Sequence, residues 1–451
     1  MGPDRREFSV RYDVCIIGAG AEGLACAATL AAHGRRVVVV ERLPEPGGRC
    51  VTRAFAPGFS ASPFADELPA IPPAIFRDLE LARHGAILTP AAESSGTIAA
   101  TREAVIARVL ADAAKPRPFL PLWRSRPVPW PGEDLATRGG IECGGEGLGD
   151  PDRGALALLA GPAGGMPRGG LGALGNALRR AAEEAGAELL CGVEATDIRR
   201  RHGRAVAVRL SDGREIAAAA VVSTLDLKRT FLTLFAWNDL PKPLVERIAA
   251  FRAAPGTARL LLALEAPPVV KDPDMLRRPI ALAASYGEAV RAWAGGMIPD
   301  RPPAVVRVVS AVDPFLAPDG AAVMTVTLSA IPREPFDGPW NGDKRIVLQA
   351  RALKLVEEMF PGTFERITTA ALIIPPDIER ELGCTEGDLY GGALSPSQML
   401  AFRPFPDCTG TRTPVKGLYL AGASSALGPL ATCASGVAAA TAVMADLRRG
   451  A

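Results

Sequence analysis

Between Tyr12 and Glu41 the chain writes out a complete strand–turn–helix–strand unit, and no other stretch constrains the fold as much. Tyr12-Asp-Val-Cys-Ile-Ile17 is a short apolar run rich in β-branched residues, as a buried parallel strand requires. It runs directly into Gly18-Ala19-Gly20-Ala21-Glu22-Gly23. Leu24 to Ala32 then predicts a helix ending near Gly34, and Val37 to Val40 a second buried strand closed by Glu41. In such a turn Gly18 permits the tight bend, Gly20 lets a pyrophosphate approach the backbone, and Gly23 lets helix and strand pack closely. The pyrophosphate then rests on unpaired N–H groups at the helix start. Glu41, 18 residues after Gly23, is placed to accept hydrogen bonds from ribose hydroxyls. The expected class is therefore α/β, with a Rossmann-like dinucleotide-binding domain.

A second match, Gly170-Leu-Gly172-Ala-Leu-Gly175, also opens a helix, expected over Ala177 to Ala185. The preceding GPAGGMPRG cannot form the strand that the motif needs, so no separate nicotinamide-binding domain is expected. Disulfide reduction is disfavoured for the same reason, and because none of the eight cysteines forms a C-x-x-C pair.

Composition narrows the remaining classes. Lys+Arg 51 against Asp+Glu 49 leaves a net charge of +2, without a basic tail, so nucleic acid is not an expected partner. Three histidines, His33, His84 and His202, sit beside or near glycines and are expected at turns or in solvent. A His-dependent triad or multi-His metal site is not expected from such histidines, no metal is expected, and no catalytic side chain stands out. The chemistry is expected to come from something bound. The first residues carry charges but no apolar core, so no signal peptide is expected. Ala426 to Ala445 is uncharged but made of Ala, Gly, Thr and Ser, too weakly apolar to insert in a membrane. A cytoplasmic protein is expected.

The residues after Glu41 distinguish one dinucleotide from another. Arg42 leads into Pro44-Glu-Pro-Gly47-Gly48-Arg49-Cys-Val-Thr52, a loop whose glycines let the backbone lie against a large cofactor while Arg49 meets phosphate charge. This segment resembles flavoproteins of the amine oxidase and phytoene desaturase superfamily. Later passages narrow the resemblance to the phytoene dehydrogenase-like branch, in the group of the pyridine nucleotide-disulfide oxidoreductase domain proteins. They are Pro57-Gly-Phe-Ser60, Phe76 to Gly85, Gly169 to Leu174, Ala220 to Phe231, Asp313 to Gly320, Pro375 to Arg380 and Gly417 to Gly422.

The resemblance implies noncovalent FAD in a Rossmann-like domain of the glutathione reductase/amine oxidase type. That domain is expected from 10–60, 161–230 and 386–451. An α+β substrate domain with an antiparallel sheet is expected from 61–160 and 231–385. Strands are expected at Ala187 to Val193, Ala205 to Leu210, Ala217 to Ser223, Leu260 to Leu264, Val305 to Val309, Val323 to Leu328 and Lys416 to Gly422, and a helix over Lys344 to Met359. The implied cofactor-binding residues are Gly18, Ala19, Gly20, Ala21, Glu22, Gly23, Glu41, Arg42, Gly48 and Arg49. To these the resemblance adds the backbone of Val193 at the adenine and Gly422 at the pyrophosphate. A helix starting near Ala431 is implied to aim its N–H groups at the flavin.

The implied activity is hydride transfer between flavin and a lipophilic, carotenoid- or isoprenoid-like substrate, with oxygen or a quinone as electron acceptor and contact with a membrane surface as a further expectation. Trp123 and Trp130 are candidates to line an apolar tunnel, with ordinary packing the favoured expectation. Two departures from the family pattern keep other readings open. The interval between Gly85 and Gly169 is short, and Ser424-Ser-Ala-Leu-Gly-Pro-Leu430 has Pro429 in a turn where a glycine is usual. A catalytically weakened FAD-binding regulatory protein is one alternative. A flavin amine oxidase is the other, although Ala423 stands where those enzymes usually carry Glu.

Overall fold

The structure, a computed structural model, describes residues 11–89 and 165–449, apart from 237, 254–255, 283–285, 394–397, 399–402, 405–409, 426 and 429–431. Trp123, Trp130 and most of the short 85–169 interval therefore lie outside the described residues, as do Pro429 and Ala431.

Strand β1 (Arg11–Ile17) lies at the centre of a seven-stranded sheet. It pairs in parallel with β2 (Val37–Glu41) on one side and β8 (Glu215–Ser223) on the other, with Cys15 opposite both Val38 and Val221. Beyond β2 lies β5 (Glu188–Cys191), also parallel. The far edge of β8 is shared. Its first half pairs antiparallel with β7 (Arg204–Leu210), itself hairpinned to β6 (Ala195–Arg201); its last three residues pair in parallel with β14 (Leu418–Leu420).

Both faces of the central strands are covered, which is why they read as unbroken apolar runs. Val14, Ile16, Val37, Val39, Ala220 and Val222 point to the face carrying the helices Ala21–Ala32, Leu171–Glu184 and Ala434–Arg449. Cys15, Ile17, Val38, Val40, Ala218 and Val221 point to the other, beneath Phe231, Phe235 and Ile248.

The three helices approach one another and the loops closely, and glycine makes this possible. A Cβ at Gly175 would lie 2.2 Å from the Cys50 carbonyl oxygen, and one at Gly436 would lie 2.0 Å from that of Glu22. The second glycine motif thus serves packing. Its helix starts at Leu171, earlier than the expected Ala177, because capping groups arrive from a distant segment. Thr52 Oγ1 accepts from the Gly172 N–H at 2.9 Å and Ser62 Oγ from the Leu171 N–H at 2.9 Å.

The second sheet is antiparallel throughout, in the order β10 (Ile280–Leu282), β11 (Ala304–Val308), β12 (Ala322–Ser329), β9 (Thr257–Leu264) and β13 (Ile367–Ile373). Helix Gly342–Met359 covers one face through Leu348, Ala352, Leu355 and Val356, against Leu260, Leu262, Met324 and Val326. A two-stranded hairpin, β3 (Arg53–Ala56) and β4 (Phe59–Ala61), packs Phe55 and Phe59 near Leu261 and Val323 on the other. Val309, expected within a strand, starts a short helical turn instead.

A buried ion pair fastens the chain after β4 to this sheet. Asp66 accepts from Arg259 at 2.6 and 2.9 Å and from Thr325 Oγ1 at 2.8 Å. Burial alone would raise the Asp66 carboxyl; the Arg259 guanidinium and the Thr325 hydroxyl outweigh it and hold it below its ordinary value. His33 and His202 are exposed as expected, but His84 is buried, with Nδ1 3.7 Å from Glu184. Among the described residues, no helix is long and apolar enough to cross a membrane.

Candidate functional site

A cavity of about 390 Å³ opens where β1, β2 and β8 end, within the range of cofactor sites. Its floor is the turn after β1. Gly18 has φ +98°, and a Cβ there would meet Thr224 Oγ1 at 2.3 Å; a Cβ on Gly23 would meet the Gly18 carbonyl oxygen at 2.0 Å. The turn is therefore wound as tightly as its glycines allow, with Thr224 Oγ1 donating to the Ile17 carbonyl at 2.9 Å beneath it. A Cβ on Gly20 would meet nothing within 4 Å, so this position faces open space at the start of the first helix. Gly48, at φ +58°, packs over it, with its own Cβ position 3.1 Å from Gly20 Cα.

Glu41 stands at the end of β2 and is almost wholly buried. One carboxylate oxygen accepts from the Ala19 N–H at 2.8 Å and the other from the Leu43 N–H at 2.8 Å. Each oxygen keeps a lone pair for a further donor in the cavity. Arg42 reaches across to the carbonyls of Glu381 (2.6 Å) and Arg380 (3.3 Å), at the end of helix Pro375–Leu382. Arg49 donates to the Leu389 carbonyl at 2.6 Å, leaving its other N–H groups for a ligand.

Gly18, Gly20, Ala21, Glu22, Glu41, Arg42, Gly48, Arg49 and Gly422 all line the cavity. Ala19 and Gly23 lie behind this wall and hold its shape. Val193 does not reach it. Its N–H is taken by the Glu41 carbonyl at 3.0 Å, and the wall is built by Glu194, Ala195 and Thr196 instead. Gly422 closes β14 at φ +87°, with no room for a Cβ beside the Thr224 carbonyl oxygen. Ala431 lies outside the described residues, and the last helix is described from Ala434.

Glu22, at the variable position of the motif, has an unforeseen setting. Its Oε1 accepts from the Cys433 N–H at 2.8 Å, and its Oε2 from Ser435 Oγ at 2.7 Å and the Gly436 N–H at 2.8 Å. It thereby caps the last helix. Burial pushes this carboxyl above its ordinary range, against the pull of Ser435, Gly436 and Cys433.

Other wall residues were not singled out from the sequence. Asp226 accepts from the Thr385 N–H and hydroxyl at 2.8 and 2.9 Å and from the Arg229 N–H at 2.9 Å; Arg229 pairs with Glu194 at 3.0 Å. Leu382, Gly383, Cys384, Asp388 and Leu389 bring a distant segment over the cavity. Burial raises the Cys50 and Cys384 thiols to about 12, so both stay protonated. Behind the wall, Arg403 is fully buried and donates to the carbonyls of Tyr390, Gly391, Ala393, Gln398 and Ala423. Burial lowers it to about 10. Among the described residues, no three His, Cys, Asp or Glu side chains cluster as a metal site.

Comparison with known proteins agrees with this geometry. Residues 16–67 match the NAD(P)-binding Rossmann-like domain, and residues 148–444 match the flavin containing amine oxidoreductase family. Pyridine nucleotide-disulfide oxidoreductase domain-containing protein 2 of Mus musculus is 25% identical, covering 97% of this chain and 94% of its own. That alignment spans 545 positions, more than this chain has residues, so the relative carries sequence that this chain lacks. The neurosporene-forming phytoene desaturase of Rhodobacter capsulatus is 27% identical over 57% of this chain and 49% of its own. Among solved structures, cyclohexylamine oxidase from Brevibacterium oxydans superposes with a TM-score of 0.56 at 15% identity, over 97% of this chain and 100% of its own.

Proposed function

The chain belongs to the flavin containing amine oxidoreductase family and is a flavin-dependent oxidoreductase; from that premise we propose that it binds FAD noncovalently and dehydrogenates a lipophilic, carotenoid- or isoprenoid-like substrate. The residues of the cavity suit that cofactor. Gly20 and Gly48 leave backbone free for a pyrophosphate, Arg49 offers N–H groups to phosphate, and Glu41 keeps lone pairs for ribose hydroxyls. Glu194, Ala195 and Thr196 take the adenine side in place of Val193. The protonated thiols of buried Cys50 and partly buried Cys384 are poor nucleophiles, which favours a noncovalent complex.

The carrying observation is that the acidic groups around the cavity already have protein partners. Glu22 accepts three hydrogen bonds, Glu41 two and Asp226 three, Asp388 accepts from the Tyr390 and Gly392 N–H groups, and Glu194 is paired. The described wall thus offers shape and fixed charge more than a free acid or base. That suits hydride exchange at an unactivated C–H bond, where flavin supplies the redox chemistry and the protein supplies position. An apolar cluster of Phe64, Ile378 and Leu389, with Val51, Ile373 and Leu382, adjoins the cavity and offers a lipophilic molecule a surface. Oxygen or a quinone completes the proposed cycle, with substrate delivered from a membrane surface.

Anaerobic mixing of the purified yellow protein with isoprenoid and amine substrates tests this reading. Bleaching of the flavin by an isoprenoid, and its reversal by oxygen or a quinone, is the expected outcome. Bleaching by amines alone would overturn the substrate class. A protein that takes up no FAD would overturn the whole reading.

A further inference from the structure

We propose that Glu22 is a positioning residue that neutralises the N-terminus of the last helix and so holds the reduction potential of the bound flavin low. The inference rests on the flavin reading of the cavity. A helix of 16 residues, Ala434–Arg449, starts at the cavity wall formed by Gly422, Gly428 and Thr432. An uncompensated start presents roughly half a positive charge from its free N–H groups. That charge would favour electrons arriving on a cofactor beside it.

Here a carboxylate from the first helix intervenes. The Cys433 and Gly436 N–H groups both point at Glu22, and the Ser435 hydroxyl donates to it while accepting from the Gly422 N–H at 2.9 Å. The Cys433 and Gly436 N–H groups can only donate, one to each carboxylate oxygen, and the Ser435 hydroxyl adds a third contact, an arrangement that favours the ionised carboxylate against the burial that opposes it. Glu22 also lines the cavity, so its charge acts on the ligand and not merely on the helix. Arg49 is the cation that opposes it from the same wall. One side chain thus ties the motif turn, the end of β14 and the last helix together, and replaces a positive pole with a negative charge.

The test is the flavin midpoint potential of the FAD-loaded full chain, measured by equilibration with reference dyes, in the parent, Glu22→Gln and Glu22→Ser. Both variants remove the charge; glutamine keeps the side-chain length and an acceptor oxygen, and serine supplies a hydroxyl. FAD content and the visible spectrum serve as controls. The expected result is a rise of at least tenfold in the reduced-to-oxidised ratio at fixed poise, about 30 mV for a two-electron couple. Variants that hold FAD normally with an unmoved or lower potential would overturn the proposal. So would failure of both variants to fold, since Glu22 would then act only as a cap. A parent that binds no flavin would refute the underlying reading before any variant is made, which separates the two failures.

Discussion

Replacing Glu41 by alanine separates its structural role from its role towards the cofactor. In the apo protein its carboxylate accepts from the Ala19 and Leu43 N–H groups, both at 2.8 Å. Ala19 is fully buried, so its donor is orphaned by the substitution, whereas half-buried Leu43 can turn to water. One orphaned buried donor costs about 1–3 kcal/mol, and denaturant unfolding of apoprotein should show a loss of that size. FAD should lose a charge-assisted hydrogen bond to its ribose besides. At about 1.5–3 kcal/mol, that weakens binding by roughly 10- to 150-fold. Fluorescence titration of apoprotein with FAD gives the second number. Glu183→Ala is the control, because its carboxylate lies outside the cavity, is 44% exposed in its pair with Arg179, and should cost less than ~1 kcal/mol. If Glu41→Ala leaves both stability and affinity at parental values, the reasoning fails. If stability falls while affinity holds, the ribose assignment alone is wrong.

Three further outcomes are expected from the packing and the charges. Gly175→Ala sets a methyl 2.2 Å from the Cys50 carbonyl oxygen and should cost at least ~1–3 kcal/mol in denaturant unfolding; parental stability would mean that the helix is not seated as described. Acid precipitation should release all the yellow chromophore into the supernatant, since the Cys50 and Cys384 thiols stay protonated; colour retained in the pellet would show a covalent bond. Asp66→Asn breaks the buried pair with Arg259 and should destabilise by about 3–5 kcal/mol at neutral pH. Asp66 is held below its unfolded value of ~3.9, so its contribution is complete above that pH and is lost as pH falls through the folded value. The gap between parent and Asp66→Asn should therefore narrow below about pH 4, and a gap that widens there would contradict the assigned charge state.

The parts of the site legible in the sequence are those whose causes are local. The turn from Gly18 to Gly23, the closing Glu41 and the Gly47-Gly48-Arg49 loop state their geometry within one supersecondary unit. The early start of the helix at Leu171 was not legible, because Thr52 and Ser62, which cap it, come from over a hundred residues away. His84 looks like a turn residue in sequence, yet tertiary packing buries it. The wall from Leu382 to Leu389 carries no motif; it is brought over the cavity by Arg42 and Asp226. Glu22 occupies a position where a motif tolerates almost anything, and only its partners around Cys433 show what it holds.

The sharing of β8 between β1 and β14 imposes an order on biosynthesis. The first strand is made at the start of the chain, but β14 and the last helix that complete its sheet and cover the first helix come roughly 400 residues later, about 20–80 s at ordinary elongation rates. Throughout that interval the nascent βαβ unit has Leu24, Ala27 and Ala31 without their final cover, and Glu22 without the helix that satisfies it. Cofactor capture is thus a late event that reports on the whole polypeptide, and a ribosome that stalls before Gly422 releases a product with its first motif intact and no closed cavity to use it.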